Sequence, residues 1–346
     1  MSYIPFNAED FVVSADSITS TLWSNNASTL ISFFTASAAI TNNAYLPVYA
    51  VNPVSNTTAL PQFSLSYGNA EGSGSAPINP TVIGSSPSRI TYGQFRTLVN
   101  GDENTNFNFG TGNTNSSDLY VININRANYK EKLFLGTFNL WLSGSDGTNS
   151  SLIKLTDNSI STTTVNYCDA GRVFDIVSGS NGITTTSNFS GVAAGYTVSG
   201  SYGKFLPDVG LILLNPRALQ LSASQGGIGL IPDLGLTTNA LLNINRGLYG
   251  AISLGANFQL NSEETITSDY IFVRIKNNDF NYTTNPSMIS GSGEFYFPSL
   301  VNNPQTFITT VGMYNDNNEL LAVAKLSKPL VKDFTKEALV RVKLDF

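Results

Sequence analysis

Three features of this sequence predict an all-β protein: two or three β-sandwich or barrel-like domains, with long Ser/Gly/Asn loops and little helix. Charged residues make up 12% of the chain, about half the ~25% of ordinary globular domains. Asn, Ser, Thr and Gly take their place, and these residues favour turns and polar strand faces over long helices. Short runs of alternating apolar and polar residues recur along the chain, separated by turn-forming clusters. The 346 residues are 41% hydrophobic, with 21 Phe and 15 Tyr. That is ample for a sizeable core and unlike a disordered composition. The organisation read from these features is an N-terminal β domain with an interaction arm over 1–145, a Ser/Gly/Thr-rich middle region over 146–250, and a C-terminal β module over 251–346.

Taken in order, 10–13 reads as a short strand, followed by one or two strands between 28 and 51. This N-terminal arm suits either an interaction segment or an edge strand of the first domain. Gln62-Phe63-Ser64-Leu65-Ser66-Tyr67-Gly68 alternates without interruption and predicts a strand. A Gly/Ser/Pro-rich loop over 69–88 follows, and long loops of this kind tend to contact partners. The run 88–99 suits a strand or a short helix. Strands are expected over 119–125 and 133–142, the second apolar on both faces near its end, joined by a charged connection over 126–132. Further strands fall at 152–155 and 172–177. The stretch 178–203 is low in complexity, and 204–216 contains a continuous apolar strand closed by Asn215-Pro216. The best helix candidate is 238–248. Strands at 254–260 and 269–275 flank 261–268, and 277–286 reads as a long polar turn.

The last part of the chain carries the clearest pattern. Thr306 to Tyr314 is rich in β-branched and aromatic residues, Asn315-Asp316-Asn317-Asn318 forms a turn, and Glu319 to Leu326 completes a hairpin. After Lys328-Pro329 and a charged segment, Val340, Val342, Leu344 and Phe346 alternate with Arg341, Lys343 and Asp345, the signature of a half-buried strand.

The run from Asn303 to Tyr314, with Glu319 to Leu326 and Lys328-Pro329, resembles a family of virion structural proteins of large contractile-tailed phages, notably those of marine cyanobacteria. Matching stretches include Tyr92-Gly93-Gln94-Phe95-Arg96, Gly101-Asp102-Glu103-Asn104 and Asn125 to Glu131, and the segments 261–268 and 277–286 are similar too. The hairpin pattern also looks loosely like phage tail-fibre domains that attach at a baseplate. The resemblance implies a tail or baseplate component, made in the host cytoplasm and residing in the virion, whose partners are other virion structural proteins and further copies of itself. Phe307, Tyr314, Leu320, Lys325, Lys328, Arg341 and Phe346 are the candidate assembly residues of the C-terminal module.

Charge and missing residue types narrow the chemistry. The net charge of −6 argues against electrostatic affinity for nucleic acid. Residues 325–346 carry +3 and residues 1–324 carry −9, a polarity suited to head-to-tail contacts or simply to a solvated basic face. The chain has no histidine and one cysteine, Cys168. This excludes Ser-His-Asp and Cys-His catalysis, an internal disulfide and a cysteine zinc site. No cofactor motif is present; Gly226-Gly227-Ile228-Gly229 lacks the lysine and context of a phosphate loop. No apolar run of membrane-spanning length occurs, and residues 1–7 lack a secretory signal, so no membrane insertion is expected. Carboxylate chemistry survives at Glu9/Asp10, Asp102/Glu103 and Glu263/Glu264, but neighbours along a strand face opposite ways. Asp146, Asp157 and the 315–318 turn offer oxygen ligands without calcium-loop spacing. Tyr92, Phe95, Tyr120 and Tyr129 serve either core packing or, if exposed, a host-surface glycan. The expected function is a non-enzymatic virion structural protein. The alternatives are a receptor-binding or fibre-like module recognising glycan and, third, a carboxylate-dependent glycan hydrolase.

Overall fold

Strand pairing dominates the chain, as the alternating runs predict. The computed structural model describes residues 4–35, 45–72, 87–110, 115–145, 147, 149–185, 200–232, 240–283 and 285–345. Asp146, Phe346 and much of the expected loops 69–88 and 178–203 lie outside the described residues. Two compact units emerge, one of Ile18–Glu264 and one of Met1–Ser17 with Thr265–Phe346. The division thus falls at 17/18 and 264/265 instead of the 145/146 and 250/251 read from the sequence. Pairing of Phe11–Thr21 with Asn261–Ile275 is what brings the N-terminal arm into the C-terminal unit.

The larger unit is a curled antiparallel sheet. Its central ladder runs Asn139–Ser145, Ser150–Asp157, Gly171–Ser180, Gly203–Leu206, Leu211–Leu214, Asp118–Ile124 and Pro61–Asn69. Alternation sorts the side chains of Asp118–Ile124: Tyr120, Ile122 and Ile124 enter the main core, while Leu119 and Val121 enter a second core on the other face. Leu211–Leu214 is split in the same way, which explains why its run is apolar throughout.

Two helices cover these faces. The ambiguous run near residue 90 forms helix α1, Ser88–Asn100. Tyr92 and Phe95 lie one helical turn apart and fill the second core with Phe107 and Phe109. A Cβ at Gly68 would lie 2.7 Å from the Tyr92 backbone nitrogen, so the close seating of α1 needs glycine there. Helix α2, Ala240–Gly255, packs Leu242, Ile244, Leu248, Ala251 and Ile252 into the main core.

Three strands depart from the sequence reading. The expected strand 133–142 is broken: Lys132–Leu133 and Asn139–Ser145 pair with different neighbours. Between them Gly136 takes φ +75° and donates its N–H to Asp157 Oδ2 at 3.0 Å. The expected strand 254–260 begins inside α2, which runs to Gly255, and then turns at Ala256 with φ +50°. Only Phe258–Gln259 is extended. The connection 261–268 is itself strand, in one 15-residue element, Asn261–Ile275.

The smaller unit is a two-layer β structure. We label its strands β1 (Phe11–Thr21), β2 (Asn261–Ile275), β3 (Thr306–Tyr314), β4 (Leu320–Lys332) and β5 (Ala338–Asp345). One sheet has the order β1-β2-β5 and the other is the β3–β4 hairpin. Their facing sides bury Ile271, Val340 and Val342 against Val311 and Met313, flanked by Ala322 and Ala324. The hairpin turn follows its asparagines: Asn318 has φ +61°, and Asn315 Oδ1 accepts the Glu319 N–H at 2.8 Å. The Lys328-Pro329 stretch, read as the end of that strand, lies inside β4, which extends to Lys332. A ladder irregularity between Ile308 and Thr310 coincides with it, so the missing proline N–H leaves no ladder bond unmade.

Candidate functional site

The described structure leaves one face of the C-terminal hairpin uncovered, and it is unusually apolar. Alternation along β4 turns Ala322 and Ala324 inward against Val311 and Met313, and Leu321, Val323 and Lys325 outward. On β3 the same rule exposes Phe307 and Tyr314. Phe307, Tyr314, Leu320, Leu321 and Val323 are each 37–68% exposed. Gly312 lies between them, and a Cβ there would sit 3.0 Å from the Tyr314 ring and 3.4 Å from Leu320 Cδ1. Tyr314 and Leu320 therefore lie against the glycine, which pairs with Val323, and form an apolar ridge at the turn end of the hairpin, while Phe307 stands exposed farther along β3 beyond Thr309 and Thr310. Lys325 and Lys328 stand exposed beside it.

The opposite outer face, on the β2–β5 sheet, is cationic and aromatic. Tyr270 pairs with Lys343, Phe272 with Arg341, and Arg274 with Leu339. The Arg341 guanidinium lies 5.5 Å and the Lys343 ammonium 5.8 Å from the centre of the Tyr270 ring. Hydrogen bonds from Ser268 and then Lys343 hold the Asp345 carboxyl below the usual carboxylate range, and the Asp345 contact raises Lys343 in turn. Strand β1 closes this sheet as an edge. Phe11, Val12, Val13 and Ile18 are all exposed, and its start is tied down by Asp10, which accepts from Arg274 Nε at 2.8 Å.

Of the candidate assembly residues, Phe307, Tyr314, Leu320 and Lys325 thus share one face. Lys328 lies exposed at the irregularity, and Arg341 lies on the other outer face. The sequence reading missed Leu321 and Val323, two further outward aliphatics of β4. An alternating Leu-Ala-Val-Ala run says that two faces exist, and the larger side chains are ordinarily assigned to the inside.

The four aromatics read as core packing, or as a glycan surface if exposed, belong to the core. Tyr92, Phe95, Tyr120 and Tyr129 are all buried, and burial raises the Tyr92 and Tyr129 phenols while pushing Tyr120 far above the ordinary range. Tyr92 and Phe95 fall on the inward side of α1 and Tyr120 on the central strand 118–124, while Tyr129 follows the short turn Arg126–Asn128 with the Arg126 guanidinium 4.6 Å from its ring centre. Exposed aromatics occur instead at Phe280, Tyr282, Tyr296 and Phe297, in the stretch read as a polar turn and just beyond it.

The carboxylates have structural tasks. Asp102 closes its own turn, accepting from Asn104 N at 2.9 Å and from Thr105 N at 3.0 Å. Glu264 pairs with Lys130. Asp157 is fully buried and takes hydrogen bonds from Gly136 and Ser159 through one oxygen. Asp118, also buried, accepts from Tyr67 and Ser116, each at 2.9 Å, with Arg217 Nε 3.3 Å away. Among the described residues, no three His, Cys, Asp or Glu side chains converge as metal ligands. No helix among them is long and apolar enough to cross a membrane. No protein-family model, curated protein or solved structure matches the chain.

Proposed function

We propose that this chain is a non-enzymatic virion structural protein that works by subunit assembly, with its C-terminal unit as the docking module. The observation that carries this reading is the exposed apolar ridge of Tyr314, Leu320, Leu321 and Val323, with Phe307 exposed farther along the same hairpin. Contiguous apolar surface of this kind marks interaction sites, and aromatic residues with a cationic rim suit a protein interface. The exposed edge strand β1 offers main-chain groups for strand addition by a neighbour. Assignment to a phage tail or baseplate rests on the sequence resemblance of 303–329 and 89–142. Under this reading the partners are other virion structural proteins and further copies of the chain.

Cryo-electron microscopy of particles that contain the chain tests the proposal. The expected density shows the β3–β4 ridge covered by a neighbouring subunit at the tail end. A ridge left facing solvent in the finished particle would overturn the docking assignment. Placement on the head shell would overturn the tail assignment alone.

A further inference from the structure

The connection between β2 and β3 holds a second surface feature, independent of the docking ridge. We propose that an open cleft in this connection binds a neutral carbohydrate by packing a sugar ring on the exposed faces of Tyr282 and Tyr296. The cleft has a volume of about 470 Å³ and is lined by Tyr282, Pro286, Ile289, Ser290, Gly291 and Tyr296. This volume falls in the range of small-molecule sites.

The walls are preformed. Lys332 is fully buried, and its ammonium donates to Asn277 O at 2.9 Å and to Asn281 Oδ1 at 2.6 Å, pinning the start of the connection. Ile289 bridges to Phe295, the Ser290 N–H donates to Glu294 O at 2.7 Å, and the Tyr296 N–H donates to Met288 O at 3.1 Å. Phe295 meets the Tyr282 ring edge-on, with centroids 5.5 Å apart at 70°, and so sets that ring's orientation.

The chemistry of the lining selects the ligand class. No described lining residue is charged, so an anion finds no counter-charge there. Tyr282 and Tyr296 are 60% and 59% exposed, and neither hydroxyl has a hydrogen-bond partner among the described residues. Their ring faces offer flat apolar surface beside free hydroxyl groups and the Ser290 side chain. A pyranose matches this arrangement: its axial C–H face packs on an aromatic ring while its equatorial hydroxyls reach the polar rim. A proline-rich peptide also packs on tyrosine rings. It needs an extended groove with regularly spaced ridges, whereas the described lining comes from one short stretch, 282–296.

Saturation-transfer NMR on the full chain with lactose, cellobiose and N,N′-diacetylchitobiose tests the proposal, with polyproline peptide as a competitor. The expected result is transfer to at least one sugar at millimolar concentration. Tyr282→Ala and Tyr296→Ala should each weaken it roughly ten-fold, the loss of one stacking face. Gly291→Leu provides a second variant, since a Cβ at Gly291 meets nothing within 4 Å and the added side chain would occupy the cleft without strain. It should abolish the signal while the circular dichroism spectrum stays unchanged. Transfer to none of the sugars would overturn the inference, as would binding indifferent to Gly291→Leu. Signal only from the polyproline peptide would likewise overturn it and reassign the cleft to protein recognition. None of these results bears on the ridge, which lies on different residues.

Discussion

Replacing Leu321 and Val323 together by lysine separates docking from folding. Leu321 is 68% and Val323 57% exposed in the folded chain. Full burial of a Leu or Val side chain is worth about 1.5–3 kcal/mol. The fraction still exposed therefore holds about 1–2 kcal/mol each, or about 3 kcal/mol for the pair if a neighbour covers them. That corresponds to roughly a hundred-fold in dissociation constant, and lysine adds the cost of desolvating a charge at the centre of an interface. Folding should barely respond, because outward surface substitutions shift stability within about 0.5 kcal/mol. The assay pairs urea unfolding of the purified variant with its incorporation into particles, scored against wild type in the same cells. The expected outcome is an unchanged unfolding midpoint with incorporation reduced a hundred-fold or more. Normal incorporation of a stably folded double variant would refute the docking argument. A collapsed unfolding midpoint would refute it differently, by showing that these side chains serve the fold.

Other perturbations test the rest of the account. Phe258→Ala should destabilise the chain by about 3–5 kcal/mol in urea unfolding: Phe258 is fully buried, with Trp23 and Phe63 rings 4.9 and 5.3 Å away. Gly68→Ala should cost about 1–3 kcal/mol, because the new Cβ would lie 2.7 Å from the backbone nitrogen of Tyr92 and α1 must move away; a melting temperature equal to wild type would contradict the close seating of that helix. Acid should weaken the larger unit partly through Asp208. Burial opposes ionisation there, but hydrogen bonds from Arg172 at 2.6–3.2 Å outweigh it and hold the carboxyl below its ordinary 3.8. A folded value below the unfolded one makes its contribution fully present above the unfolded value and lost as pH falls through the folded one. Asp208→Asn should therefore flatten the dependence of melting temperature on pH below about 4, and an unchanged acid slope would sink the assignment.

Legibility differed from element to element for physical reasons. The strands around Phe63, Val173 and Val340 were readable because period-two alternation is imposed locally by the pleat. Helix α1 was ambiguous because only Tyr92 and Phe95 are buried among its apolar residues, too few to separate the two periods. The break at Gly136 was hidden because both halves of 133–142 are apolar, and only the separate pairing of Leu133 with Ser262 and of Leu140 with Leu155 parts them. The cleft tyrosines were passed over because asparagines surround Tyr282, and local composition there signals a turn whether or not an aromatic face points outward.

Composition and alternation by themselves determined that this is an all-β chain, with a terminal hairpin turning at Asn315–Asn318 and a final strand whose Val340 and Val342 face inward. Both properties depend on neighbours a few residues away along the chain. Tertiary structure alone decided which side of that hairpin is bare. Opposite Val311 and Met313 the inward positions of the hairpin fall on Ala322 and Ala324, so Leu321 and Val323 are left on the surface. Which face of an alternating strand is buried depends on the volume of side chains contributed by other strands, and no local pattern encodes that volume.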